Sequence, residues 1–249
     1  MTARTVARLT LVAVSLLWTT VATAQSPLIA ELDLAARTYH HDPAILDQLR
    51  ARLEQASAAD PSVENLTGLA RVLFNWAEVR AASVDDKIDA LDRGRSAAAR
   101  ALVLQPSSVG AHFWRAVNAA RWGELRGMAA SLSVLGEVRR GARTVLELDP
   151  SFAPGYTLAA AVFAEVPAML GGDLQRAEAL FRQGLTIDAK LTSLRVGLAK
   201  VLLRTGRVAE GREELERVVV EERPANPADW TMKDAPEARA LLERSAQVR

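Results

Sequence analysis

Apolar residues recur at spacings of three and four along almost the whole chain, and no stretch alternates apolar with polar as a strand does. The prolines fall between the periodic segments, at Asp42-Pro43, Asp60-Pro61, Gln105-Pro106, Asp149-Pro150 and Arg223-Pro224. Each disfavours helix in the residue before it and opens the next segment. The segments between are about 15 to 22 residues long, longer than the usual strand. The pattern predicts an all-α chain of ten or eleven antiparallel helices with short connections.

The helices repeat. Thr192 to Ala225 reads as one unit of 34 residues. With Thr192 as its first position, Leu198, Ala199 and Leu202 fill the core positions of a first helix. Gly206-Arg207-Val208 makes the turn, and Gly211, Leu215 and Val218 face back from a second helix. Small residues at Ala199 and Gly211 are required where the two helices cross closely. Tyr156, Ala159, Ala160 and Phe163, then Gly172-Asp173-Leu174, Ala177, Phe181 and Gly184, repeat the pattern with an insertion. This is the tetratricopeptide pattern. Trp76-Ala77-Glu78 recurs as Trp122-Gly123-Glu124 after 46 residues and as Phe163-Ala164-Glu165 after 41 more. The expected organisation is an N-terminal helical pair over 26–59 and atypical units at about 60–106, 107–150 and 151–190. A regular unit at 192–225 and a capping helix at 234–247 follow, with Pro236 in the first turn of that last helix, where proline is tolerated.

The first 24 residues read differently. Arg4 and Arg8 precede a short apolar run from Leu9 to Trp18, and Ala22-Thr23-Ala24 forms a small-x-small cleavage pattern. This predicts a secretory signal peptide cut after Ala24 and a periplasmic mature chain. With no cysteine in the sequence, the chain carries neither disulfide nor cysteine-linked lipid, so packing alone must stabilise it. Lys plus Arg number 31 against 30 for Asp plus Glu. Removing Arg4 and Arg8 leaves 29 against 30, a near-neutral balance that argues against nucleic acid as a partner.

Signals for chemistry are sparse, and no cofactor or metal is expected. His40-His41-Asp42 reads as a helix-breaking linker, because adjacent side chains at a helix end point apart. His112 stands far from either, so a nucleophile relay has little support. Gly171-Gly172-Asp173 lacks the Lys-Ser/Thr of a phosphate loop and reads as a turn into a helix capped by Asp173. Glu78, Glu124 and Glu165 repeat in register, as solvent-facing carboxylates paired to neighbouring arginines. No catalytic constellation emerges, so the chain is expected not to be an enzyme.

Binding is the better expectation. In stacked helical hairpins the first helix of each pair lines a concave groove. By position, Ser193, Val196, Lys200 and Arg204 fall on that face in the regular unit, and Arg115, Asn118 and Trp122 share a face in an earlier one. Lys200 and Arg204 repel one another one turn apart, a cost that a carboxylate would offset. Such a groove suits an acidic peptide or an amphipathic organic acid; scattered, solvated charges are the plainer alternative.

His112-Phe113-Trp114-Arg115-Ala116-Val117-Asn118 followed by Arg121-Trp122-Gly123, with Val138-Arg139-Arg140, Leu148-Asp149-Pro150, Pro167 before Gly171-Gly172-Asp173, and the Ala238 to Leu242 segment, carry a family resemblance. Across most of Asp60 to Leu242 the chain resembles the TatT family, periplasmic tetratricopeptide proteins associated with tripartite ATP-independent (TRAP) transporters. The resemblance implies a helical bundle around a groove or pore and homo-oligomers. It also implies a periplasmic solute-binding protein as partner and a role near uptake of organic acids or apolar ligands. The chain departs from the family in having Gln25, and no cysteine, after the leader. A general scaffold for envelope assembly and a carrier of a small apolar ligand are the other readings open at this point.

Overall fold

The computed structural model describes residues 26–247, so the expected leader and its cleavage site lie outside the described residues. Among the described residues the chain is all helical, built from antiparallel hairpins in sequence order. These are α1 (Pro27–Thr38) with α2 (Ile45–Ala59), α3 (Val63–Val79) with α4 (Val84–Leu104), α5 (Val109–Arg126) with α6 (Met128–Leu148), α7 (Ala153–Glu165) with α8 (Leu174–Ile187), and α9 (Thr192–Arg204) with α10 (Val208–Val219). A short α11 (Pro227–Asp229) leads through a π-helical turn, Trp230–Asp234, into α12 (Ala235–Gln247). Counting 227–247 as one continuous rod, this makes eleven helices among the described residues.

Side chains cap the starts of several helices. Ser26, Ser62, Ser83 and Ser108 cap α1, α3, α4 and α5, and Asp173 caps α8, as expected. The ends of the outer helices repeat even more closely. Asp60, Gln105, Asp149 and Asp188 leave α2, α4, α6 and α8 at φ/ψ of −137/95, −140/92, −142/91 and −138/95. Proline follows the first three and enforces that extended shape; Ala189 follows Asp188, which adopts it all the same. Left-handed glycines make two of the turns within hairpins: Gly127 (φ 91) joins α5 to α6 with no intervening loop, and Gly206 (φ 78) turns α9 into α10.

Within hairpins, small residues permit close contact. A methyl group at Gly141 of α6 would stand 2.8 Å from Cβ of Ala116 on α5, and one at Gly211 of α10 would stand 3.2 Å from the Ala199 carbonyl oxygen. Ala116 and Ala199 are fully buried. Between hairpins, carboxylates are clamped by two arginines. Glu137 of α6 accepts from Arg95 of α4 at 2.5 Å and from Arg115 of α5 at 2.9 Å. Burial opposes its ionisation, but these bonds and charges hold the Glu137 carboxyl below the usual range. Arg121 joins Glu78 (2.9 Å) to Glu124 (2.7 Å), pairing two of the carboxylates that recur in sequence.

The capping helix expected at 234–247 is α12, Ala235–Gln247, with Pro236 in its first turn. It continues without a break from α11 and the π turn, where Asn226 caps and Pro227 takes the first-turn position. Pro236 therefore lies inside a continuous rod, where its ring would clash with a carbonyl one turn earlier. The π turn absorbs that conflict: the Ala235 amide reaches back to the Trp230 carbonyl.

The crossing contact separates two glycines of α6. Gly141→Leu forces an isobutyl group against Ala116 and should destabilise the fold by about 2–3 kcal/mol. A methyl group added at Gly136 would meet nothing within 4 Å, so Gly136→Ala should instead gain about 0.5–1 kcal/mol. Urea unfolding of the two variants checks the pair, and equal effects would refute the crossing argument.

Candidate functional site: a chamber inside the helical array

The inner helices α1, α3, α5, α7 and α9 line a concave surface, and the C-terminal rod closes it. Ala228 of α11 is fully buried in the core of the first hairpins. The Tyr39 hydroxyl at the end of α1 donates to Asp229 Oδ1 at 2.6 Å. Further along, Trp230 Nε1 donates to the Val218 carbonyl at 2.7 Å, and Ala238 packs on Val196, Leu215 and Val218. One rod thus bridges the first hairpin and the last.

The bridged surface lines a half-open chamber of about 950 Å³, within the range of sites for small molecules or apolar side chains. Its walls are aromatic and aliphatic: Ile29 and Leu32 from α1, Phe74 from α3, Phe113, Trp114 and Val117 from α5, and Phe152, Leu158 and Ala161 around α7. Phe74, Trp114, Phe113 and Phe152 form a chain of ring contacts with centroids 5.0–5.7 Å apart. Polar groups gather where the rod crosses: Asn75, Asp229, Lys233 and Asp234, with Thr157 and Ser193 beside them. Lys233 Nζ pairs with Asp229 at 2.8 Å and sits 5.6 Å from the Phe74 ring and 6.0 Å from the Tyr39 ring. Burial and the neighbouring Asp229 charge push the Tyr39 hydroxyl far above the ordinary tyrosine range. Asp234, 8% exposed, accepts from Thr192 Oγ1 at 2.6 Å. Burial pushes its carboxyl up to about 6, with Asp229 and Glu237 adding and the Thr192 bond and Lys233 opposing.

The six residues expected in the groove lie elsewhere; Ser193, weighed alongside them, does line the chamber. Asn118 is fully buried and donates to the Ala70 and Trp114 carbonyls at 3.1 and 2.7 Å. Arg115 is held by Glu137, and Trp122 lies beneath the guanidinium groups of Arg126 and Arg95. The expected set was rotated around α5: Gly110, Phe113, Trp114 and Val117 face inward, and a step of one residue turns a side chain by about 100° toward the neighbouring helices. On α9 the rod covers the expected face. Val196 is buried beneath Ala238, and Lys200 Nζ meets Glu237 of α12 at 2.5 Å, the carboxylate that its charge demanded. Arg204 donates to the Ala164 carbonyl in the last turn of α7. His40 and His41 lie in the turn between α1 and α2.

What the sequence reasoning missed was the rod's own share of the site. Asp229, Lys233 and Asp234 read as polar residues after a helix break. The one available signal was Asn226-Pro227, a cap followed by a first-turn proline.

Stacked helical hairpins of this geometry define a tetratricopeptide-type repeat protein, and the tetratricopeptide repeat pattern matches residues 168–233. The pattern of the family described as "Regulator of microtubule dynamics protein 1-3" matches residues 28–160, just over half of the chain. The chain belongs to that family. Among solved structures, it is similar to TTC0263, a thermophilic tetratricopeptide protein of Thermus thermophilus. The identity is 18% and the TM-score 0.60, over 88% of this chain and 97% of that one. MamA RS-1 follows at 12% identity and TM-score 0.47, over 91% of this chain and 100% of that one. No curated protein matches. The likeness to TTC0263 concerns the fold.

A buried carboxyl that titrates high has a stability consequence of definite sign. The folded state holds the Asp234 proton more tightly than the unfolded chain does. Its contribution is therefore full below pH 3.8 and is lost as pH rises through about 6. Asp234→Asn should remove that loss, gaining on wild type by on the order of 2–3 kcal/mol across this window. Urea unfolding at several pH values checks it; a pH-independent difference would show that Asp234 is not desolvated.

Proposed function

We propose that this chain is a non-enzymatic, exported tetratricopeptide adaptor whose inner chamber receives an apolar group presented by a partner protein. The observation that carries the reading is the chamber itself: aromatic walls, left unfilled by the chain's own side chains, on the face where helical hairpin arrays receive ligands.

The residues that resemble the TatT family support a finer version, in which the partner is a periplasmic solute-binding protein of a TRAP-type transporter. The leader pattern ending at Ala24 supports the periplasmic location and separates this chain from the microtubule regulators that its family's description names. A carrier role for a small apolar ligand uses the same chamber, and the volume supports it equally well. A scaffold for envelope assembly is the reading that a different captured partner would favour.

The test fills the chamber. Ala161→Trp adds an indole to a wall of α7 without removing a packing contact. Mature wild-type protein, immobilised and exposed to envelope extract, should retain a solute-binding protein identified by mass spectrometry. Ala161→Trp should lose at least tenfold of that capture with an unchanged circular-dichroism spectrum. Capture of outer-membrane assembly proteins instead would favour the scaffold. Undiminished capture by the variant would move the site out of the chamber.

A further inference from the structure

Two buried polar residues on the chamber wall keep hydrogen-bonding capacity open to the cavity. Asn75 of α3 is 6% exposed, lines the chamber, and its side chain makes no hydrogen bond with another described residue. Asp234 of the C-terminal rod is 8% exposed and lines the same chamber. It receives one hydrogen bond among the described residues, from Thr192 to Oδ2, and has no ion-pair partner there. Both open onto the same cavity, so a bound ligand can satisfy them.

The charge balance identifies the ligand's head group. The chamber wall carries Glu64, Asp229 and Asp234 against Arg71 and Lys233. Both cations are engaged within the chain, Arg71 by Asp33 and Lys233 by Asp229. Asp229 is saturated in turn by Tyr39, Asn226 and Lys233. The carboxylate of Asp234 remains without a cation among the described residues. A protonated amine suits both groups, since ammonium N–H groups can donate to a carboxylate and to an amide oxygen. Next to this polar end lies Phe74, over which Lys233 already holds an ammonium at 5.6 Å, and beyond it run Trp114, Phe113 and Phe152.

We infer that the chamber binds a primary ammonium group carried on an apolar body, with Asp234 as counter-ion, Asn75 as hydrogen-bond acceptor and the aromatic wall as the seat of the body. This rests on the reading of the chamber as the binding site and deepens it. Two sources supply that chemistry, a free amphipathic amine and a lysine side chain of the partner protein.

Titration calorimetry on the full mature chain tests it with 4-phenylbutylamine, with 4-phenylbutyrate as the same body bearing the opposite charge, and with the peptide acetyl-Leu-Lys-Leu-amide. The amine should bind at least tenfold more tightly than the acid at pH 7.5. It should weaken about tenfold at pH 5, where Asp234 takes up a proton while the amine keeps its own. The groups facing Asp234 are Thr192 on α9, Tyr39 at the end of α1, Glu237 on α12, and Asp229 and Lys233 on its own rod. Asp234→Asn should lose the same factor and the pH response together. Asn75→Leu, which leaves the counter-ion in place, should weaken the amine severalfold while keeping the pH response, a second and independent reading of the same site. Binding of the peptide as well as the free amine would point to a partner's lysine, and binding of the amine alone to a small molecule; either supports the inference. Equal or tighter binding of the butyrate, itself abolished by Ala161→Trp, would overturn the ammonium preference and leave the chamber standing as the site. No binding by amine or peptide would overturn the inference, while capture of a protein partner, lost in Ala161→Trp, would still uphold the chamber.

Discussion

Helix hairpins of this kind bury their apolar stripes only against neighbours, so each pair must approach closely enough to exclude water at its crossing. That approach is a backbone constraint. At Gly141 against Ala116, and at Gly211 against Ala199, a single added carbon meets the opposite helix at 2.8 to 3.2 Å. Everything else follows from the spacing those contacts set. The outer helices α2, α4, α6 and α8 end in one repeated extended conformation. The inner helices present one face to a common interior, and inter-helix carboxylates find arginines on adjoining hairpins.

An open stack of hairpins has two unsatisfied ends. Here the C-terminal rod covers both: α12 packs on α9 and α10, while α11 inserts Ala228 into the first core and reaches Tyr39. A groove thereby becomes a chamber with a polar corner. The closure costs something, visible in a π-helical turn ahead of Pro236 and in a carboxyl at Asp234 that burial holds near pH 6. Strain and desolvation gathered at one place beside a cavity mark where binding and structure meet.

Arginine use on the outer layer has a different character. Glu137, Glu178 and Glu214 each take two arginines, drawn from the same or neighbouring helices. Partly buried pairs of this kind fix register between hairpins more than they add net stability. They also account for Arg115, which this layer ties to Glu137.

Helical periodicity, proline punctuation and the small residues at Ala199 and Gly211 made the hairpin array legible from the sequence alone, because each is a local requirement of helix geometry or of one helix crossing its neighbour. The chamber was not legible in the same way. Which face of α5 turns inward differs from the expected one by a rotation of a single residue step, and that rotation is decided by packing among α3, α4 and α6 rather than by α5 itself. The partners of Lys200 and the walls around Asp234 come from distant segments: Thr192 lies 42 residues from Asp234, and Tyr39 lies 190 residues from Asp229. Local sequence sets which residues coil and where they stop; only the assembled array decides which side chains share a space, because that depends on how every hairpin leans on the next.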